Sequence, residues 1–401
     1  MEKREIALST PNLNADIVEN LKECIEEGWI STSGRFIGEF EEKVSSYIGM
    51  EDAVACQSGT AGLHTALRIL DVGAGDAVLV PTLTFIAAVN PVRYQGAEPI
   101  FLDCDKGFCL DPVKLRQFCA AECRLEDGRL IHNKTGRTIK AIIPVHIFGN
   151  LSDMEAIMEI AQDYSLKVIE DATEALGSFW IDGAFAGQHA GTVGHIGVFS
   201  FNANKIITTG GGGMIVSPDS DILRQARYLT TTAKDDGLFF AHNEVGYNYR
   251  MLNIQAALGV SQIDELPDFI QTKIANYWLY WEFLSETPGI RLLPFRPGTR
   301  PNHWFYALYV DDLPESAPGE TRNRLMARLI EEGIQCRPVW KLNHTQTPYV
   351  NCTNYLIEQA EDYEKHILNL PCSTNLVEAD VRYICEKLQK ALASLSATSV
   401  L

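Results

Sequence analysis

Between Ala53 and Asp171 the chain alternates short apolar runs with stretches of helical periodicity, and that rhythm limits its possible folds more than any other feature. Ala53–Cys56, Ala77–Val80, Pro99–Leu102, Ala141–Val145 and Lys167–Asp171 are nearly continuous in apolar residues. Such strands are buried on both faces, as in a parallel sheet with helices packed on either side. Ala61–Leu70, Asp111–Ala121 and Ser152–Tyr164 supply the intervening helical patterns. The expected fold is therefore α/β, with a mixed, mostly parallel sheet. Helices are also expected at Asn14–Glu27, closed by Gly28, at Gly38–Ile48, at Asp219–Leu229 and at Asn253–Glu286. Beyond Pro288 the pattern changes to a strand (Trp304–Val310) and helices (Arg322–Glu332, Asn354–His366, Glu378–Ala393), which predicts a smaller α+β unit. We place the large domain at 1–285, with its N-terminal segment able to pack on the small one, and the small domain at 286–401.

The chain carries a net charge of -18, which argues against a protein that coats DNA or RNA. No apolar run approaches the length of a membrane span, and the first residues lack the apolar core of a signal peptide. The ten cysteines form no C-x-x-C pair and have no histidines at zinc-ligand spacing, so no metal site is expected. They read as reduced, small hydrophobic residues, and the expected compartment is the cytoplasm.

Chemistry is suggested by Ser200–Ser217, where a lone lysine, Lys205, precedes four glycines, Gly210–Gly213. A nucleotide-triphosphate loop needs its glycines before the lysine, so that reading fails. A solvated hairpin remains open, as does a lysine that bonds covalently to an aldehyde cofactor. A lysine amine has an unperturbed pKa of about 10.4 and must be held where its neutral form is favoured. Pyridoxal phosphate would then also need a carboxylate for its ring nitrogen, a phosphate cup at a helix N-terminus, and a flat side chain against the ring. Asp171 emerges at a strand end, Ser58–Ala61 joins strand to helix, Ser200 offers a hydroxyl, and Phe85 follows another strand. Each has an ordinary structural use as turn, cap or core residue. Their occurrence together favours the cofactor reading.

Ordered segments of the chain carry a further signal. These are Gly28–Gly34, Gln57–His64, Pro81–Ala87, Gly96–Asp103, Val145–Gly149, Glu170–Ala175, Ser200–Gly213 and Gly246–Met251. In them the sequence resembles the DegT/DnrJ/EryC1/StrS sugar aminotransferases, pyridoxal phosphate enzymes of fold type I, the aspartate aminotransferase-like fold. The resemblance implies that Lys205 is the Schiff-base lysine and Asp171 the partner of the ring nitrogen. It implies that Gly59, Thr60, Ala61 and Ser200 hold the phosphate and that Phe85 stacks on the ring. Asn248 would reach the phosphate of a neighbouring subunit, giving a homodimer with shared active sites. Glu174 stands where many members carry glutamine, on the hydroxyl side of the cofactor. Asn202–Gly213, Arg337–His344 and Leu368–Ser373 are similar to the subgroup serving legionaminic acid and bacillosamine synthesis. That similarity implies amination at C4 of a UDP- or GDP-linked 4-keto-6-deoxy-N-acetylhexosamine, with L-glutamate as donor. Trp29, Ser33, His146, Arg250, Trp340 and His344, together with Lys341, are the candidates for substrate contact. Related proteins include sugar dehydratases, in which histidine replaces the lysine, and regulators carrying an added DNA-binding domain.

Overall fold

In the strand Asp76–Pro81, Ala77 and Leu79 face one apolar cluster while Val78 and Val80 face another, and the same division recurs at Ile100 and Phe101 and at Val168 and Ile169. Successive side chains of a strand point to opposite faces, so these short runs require a cover on each side. The computed structural model describes residues 4–398 and shows how that cover is built. Among the described residues the main sheet has ten strands. Its central order is Val54–Cys56, Gly213–Val216, Ile196–Ser200, Lys167–Asp171, Thr138–Ile142, Asp76–Pro81, Glu98–Leu102 and Asn354–Tyr355. From Ile196–Ser200 onward the pairing is parallel, while Gly213–Val216 runs antiparallel to both of its neighbours. A hairpin, Cys123–Glu126 with Arg129–His132, is attached to Thr138–Ile142.

A second, antiparallel sheet orders Ile290–Leu292, Tyr306–Val310, Ile367–Leu370 and Arg337–Pro338. The helices Glu320–Glu331 and Glu378–Thr398 pack on each other beside it, and the long helix Asn253–Leu284 contacts both this sheet and the N-terminal helices Asp16–Glu26 and Arg35–Ile48. One apolar cluster joins this sheet to a face of the main sheet, and Ile6 bridges in parallel to Ile334. All ten cysteines are buried and unpaired.

One expected element is corrected. Asn354–His366 is not a continuous helix: Asn354 and Tyr355 extend the main sheet by pairing with Phe101 and Leu102, and the helix is Gln359–His366. Leu356 takes a φ of 46°, which breaks helical continuation. The buried carboxylate of Asp103 then accepts the N–H groups of Glu358, Gln359 and Ala360 at 2.8–2.9 Å and starts the helix there. Among the described residues no helix is long and apolar enough to cross a membrane, and no cluster of three or more metal-ligating side chains occurs.

Candidate active site

The parallel strand ends converge on a cavity of about 330 Å³. In the strand Lys167–Asp171 the last two residues are both acidic, and their opposite directions give them different tasks. Glu170 turns away from the cavity and accepts the N–H groups of Gly191 (2.9 Å) and Val193 (2.7 Å). It also pairs with Nε2 of His146 at 2.9 Å. Nδ1 of His146 accepts the Ser152 N–H at 3.0 Å, so Nε2 carries the proton. Both ring nitrogens of this buried histidine are used inside the protein, and His146 does not line the cavity.

Asp171 lines it. Its Oδ1 accepts the Thr173 N–H at 3.0 Å, yet burial pushes its carboxyl above the ordinary carboxylate range. Three residues later Glu174, 4% exposed, lines the same space, with Oε2 accepting the Phe148 N–H at 2.7 Å. Burial pushes its carboxyl up to about 7, against the pull of Lys205 and of that N–H. Burial acts on Lys205 in the opposite sense and lowers its amine, which the two carboxylates partly resist. The Lys205 Nζ lies 4.1 Å from the centre of the Trp304 ring.

The glycine run is both a hairpin and part of this site. Ser200 pairs with Gly213 across the antiparallel strands, and residues 201–212 form the connection that carries Lys205. A Cβ at Gly213 would lie 2.5 Å from the Ser58 carbonyl carbon, so the strand is pressed against the start of the helix Gly59–Ile69. Gly213 is thus required for contact within the protein itself, while Gly211 and Gly212 line the cavity. Ser58 caps the helix by accepting the Ala61 N–H at 3.1 Å. The N–H groups of Gly59 and Thr60, first in the helix, have no acceptor within it and line the cavity opposite Ser200. A Cβ at Gly59 would approach Thr173 Cγ2 to 2.8 Å, so that side of the cradle has no room for one.

Phe85 lines the cavity and is 52% exposed, its ring 6.4 Å from that of Trp340, which also lines it. Asn343 holds these two segments together by donating to Thr82 O (3.1 Å) and Thr84 O (2.8 Å). His344 is used in the same tie, through Nδ1 and Thr82 Oγ1 at 2.7 Å, and is not part of the lining. Trp29 and Ser33 are exposed in the segment before the helix Arg35–Ile48, and Lys341 is 82% exposed beside Glu364. Arg250 donates from Nε to Thr32 O at 2.9 Å, and Asn248 is exposed beside Thr231. None of these five lines the cavity. Trp304, Phe305, Thr173, Asn202 and Asn204 do line it and were not anticipated. The aromatic run His303–Tyr306 was the available signal, but its strand-like pattern concealed that its first residues turn into the site.

A half-buried amine, a buried carboxylate and free helix-terminal N–H groups around one space match the donor set that pyridoxal phosphate requires. Together with a mostly parallel sheet whose strand ends form that space, they define a pyridoxal phosphate enzyme of fold type I. The chain belongs to the DegT/DnrJ/EryC1/StrS aminotransferase family, which matches residues 11–389. It is 36% identical to GDP-perosamine synthase of Caulobacter vibrioides over 96% of this chain and 98% of that protein. It is 34% identical to GDP-perosamine synthase of Escherichia coli O157:H7, again over 96% and 98% of the two chains. Among solved structures, the aminotransferase TlmJ from Streptoalloteichus hindustanus superposes with a TM-score of 0.86 at 25% identity, over 98% of this chain and 100% of that one. The protein is a pyridoxal phosphate-dependent sugar aminotransferase.

Proposed function

We propose that the enzyme transfers an amino group from L-glutamate to C4 of a nucleotide-linked 4-keto-6-deoxy-N-acetylhexosamine, for a bacterial surface glycan of the legionaminic acid or bacillosamine type. The observation that carries the chemistry is Lys205: a half-buried amine, lowered by burial, enclosed with Asp171 and Glu174. The bound cofactor supplies an electron sink for breaking a C–H bond beside the transferred nitrogen. In this reading Nζ of Lys205 takes the proton from the donor's α-carbon and returns it on the cofactor side, which requires the neutral amine that burial favours. Asp171 holds the proton of the cofactor's ring nitrogen, and Glu174 faces its hydroxyl side. The N–H groups of Gly59 and Thr60 and the Ser200 hydroxyl hold the phosphate, aided by the helix terminus. Ala61 contributes through its bond to Ser58, which fixes that terminus. Phe85 and Trp340 form the aromatic side against ring and sugar. Trp29, Ser33, Arg250, Lys341 and His344 are the candidates for the nucleotide end.

The same reading makes the enzyme a homodimer in which Asn248 reaches the partner's cofactor phosphate. Leu238, Phe239, Phe240 and Val245 support it, since these apolar side chains are 66–80% exposed in the segment leading to Asn248. A GDP-linked sugar without the acetamido group is the second reading, favoured by relatives named as GDP-perosamine synthases.

Borohydride treatment of the loaded protein, followed by peptide mapping, should tag Lys205. L-glutamate should bleach the visible band of the bound cofactor and release 2-oxoglutarate, and Lys205→Ala should do neither. Mass spectrometry of products from UDP- and GDP-linked 4-keto sugars then separates the two readings. A tag on another lysine, or bleaching that survives Lys205→Ala, refutes the assignment.

A further inference from the structure

Trp304 owes its position to contacts on every side. Its main-chain N–H lies 3.0 Å from both Phe148 O and Asn302 Oδ1, and its indole N–H donates to Asn204 O at 2.7 Å, one residue before Lys205. Its ring supports Lys205 Nζ at 4.1 Å. Its carbonyl accepts a hydrogen bond of 3.1 Å from Lys273, a residue 2% exposed in the middle of the long helix. The same Nζ donates to Cys372 O at 2.5 Å.

An amine in an apolar interior is costly unless its hydrogens are bonded, and here two main-chain carbonyls bond them. A methionine would fill similar volume with no polar group to satisfy, so packing alone does not account for lysine at this position. The backbone it grips is strained. His303, directly before Trp304, takes a φ of 53°, in the left-handed region that non-glycine residues avoid. Among the described residues its buried Nδ1 has no hydrogen-bond partner. Burial pushes the His303 imidazole down to about 3, so no second cation forms beside Lys273. On the other side of this residue Asn302 is anchored by donating to Glu174 O (2.9 Å) and Leu176 O (3.0 Å). The strained residue is thus held between two anchors, one on each side.

We infer that Lys273 is a positioning residue for the Lys205 amine: its grip on the Trp304 and Cys372 carbonyls holds the His303 turn, and so keeps the Trp304 ring against Lys205 Nζ. This rests on the reading of Lys205 as the reacting amine. The ring does two things there. Its face attracts the ammonium form, and its bulk keeps water from Nζ. Asp171 and Glu174 are the charged groups facing Lys205, while Cys372, His303 and Tyr306 surround Lys273. Burial is the largest influence on the Lys205 amine, so releasing the ring admits water and raises the pH at which the amine loses its proton.

The test uses the full-length protein freed of cofactor and competitive acetylation of Lys205 across pH, read by peptide mass spectrometry. Lys273→Met and Trp304→Leu should each move the labelling midpoint up by about one pH unit. The double variant should move it no further than Trp304→Leu alone, because both act through one ring. Tyr363→Phe serves as the control for simple destabilisation: it deletes a bond to Lys106 O (2.9 Å) away from Trp304 and should leave the midpoint in place. In the loaded enzyme, Lys273→Met should lower kcat of the glutamate half-reaction about tenfold with little change in KM. Should Lys273→Met not fold, Lys273→Leu, which likewise has no donor for either carbonyl, is read in the same way. An unmoved midpoint in either single variant, or a comparable shift in Tyr363→Phe, overturns the inference. A borohydride tag on a lysine other than Lys205 overturns the reading beneath it instead.

Discussion

Replacing Glu174 by glutamine should change how the stability of the cofactor-free protein depends on pH. The carboxyl is buried, and its pKa rises from 4.5 to about 7 on folding. Between those values the folded chain retains a proton that the unfolded chain has released, so stability falls as pH rises through the window. At 1.36 kcal/mol per pH unit the full effect is about 3 kcal/mol, most of which accrues between pH 5 and pH 8. Glutamine removes the titration while keeping an oxygen for the Phe148 N–H, whose bond of 2.7 Å it can retain. Near pH 5 the two proteins should therefore differ little. By pH 8 the wild type should have lost about 2–3 kcal/mol relative to Glu174→Gln. Urea unfolding at one protein concentration, repeated at half-unit pH steps, measures this difference directly. A wild-type-minus-variant stability that stays constant across the window would refute the argument, because it would mean that Glu174 is already ionised at pH 5 in the folded protein.

Further outcomes follow from the same geometry. Gly59→Ala brings a Cβ within 2.8 Å of Thr173 Cγ2 and 3.1 Å of Ser200 Cβ, and should weaken cofactor retention by about tenfold or more in an absorbance titration. Retention unchanged from wild type would show that the cradle has slack. Asn253→Ala removes the acceptor of the Phe36 N–H (3.1 Å) and the donor to Trp29 O (2.7 Å), and should cost about 1–3 kcal/mol in urea unfolding. For the shared site, Lys205→Ala and Asn248→Ala chains, each defective alone, should regain activity on mixing, because one of the two sites in a mixed dimer is then intact. Mixtures no more active than the separate variants would place both residues in one protomer's site.

Local pattern was enough to anticipate the strands and helices that frame the cavity from the first half of the chain. Lys167–Asp171 is a strand with the expected limits, and Asp171, Ser200, Gly59 and Lys205 meet around one space. Apolar runs and turn residues act within a few positions of themselves, so they are visible in a window of sequence. What was missed depends on partners far away in the chain. Asn354–Tyr355 becomes a strand because Phe101 and Leu102 offer an edge more than 250 residues earlier, and Asp103 selects where the next helix starts. The hairpin at Cys123–His132 also has a local cause: Asp127 and Gly128, both with positive φ, form the kind of turn that Asp-Gly favours. His146 shows another case. Its position after an apolar strand suits a satisfied structural histidine while the family resemblance puts it near the cofactor, and Glu170 and Ser152 engage both of its nitrogens.

The site therefore has two halves with different physical origins. The half from the main sheet is fixed by strand ends and a capped helix, elements whose geometry is set by backbone hydrogen bonds. The half from the C-terminal region, with Trp304, Phe305 and Trp340, is carried on connecting segments and depends on side chains such as Asn302, Asn343 and Lys273 that tie those segments back to the main sheet and the long helix. Substitutions in the first half should weaken cofactor binding or remove the chemistry. Substitutions among the ties should leave the cofactor bound and alter how closely the aromatic side meets the reacting amine and the sugar. Substrate range in this chain is accordingly expected to be most responsive to changes at the ties, where small shifts of Trp304 and Trp340 reshape the cavity without disturbing Asp171 or Lys205.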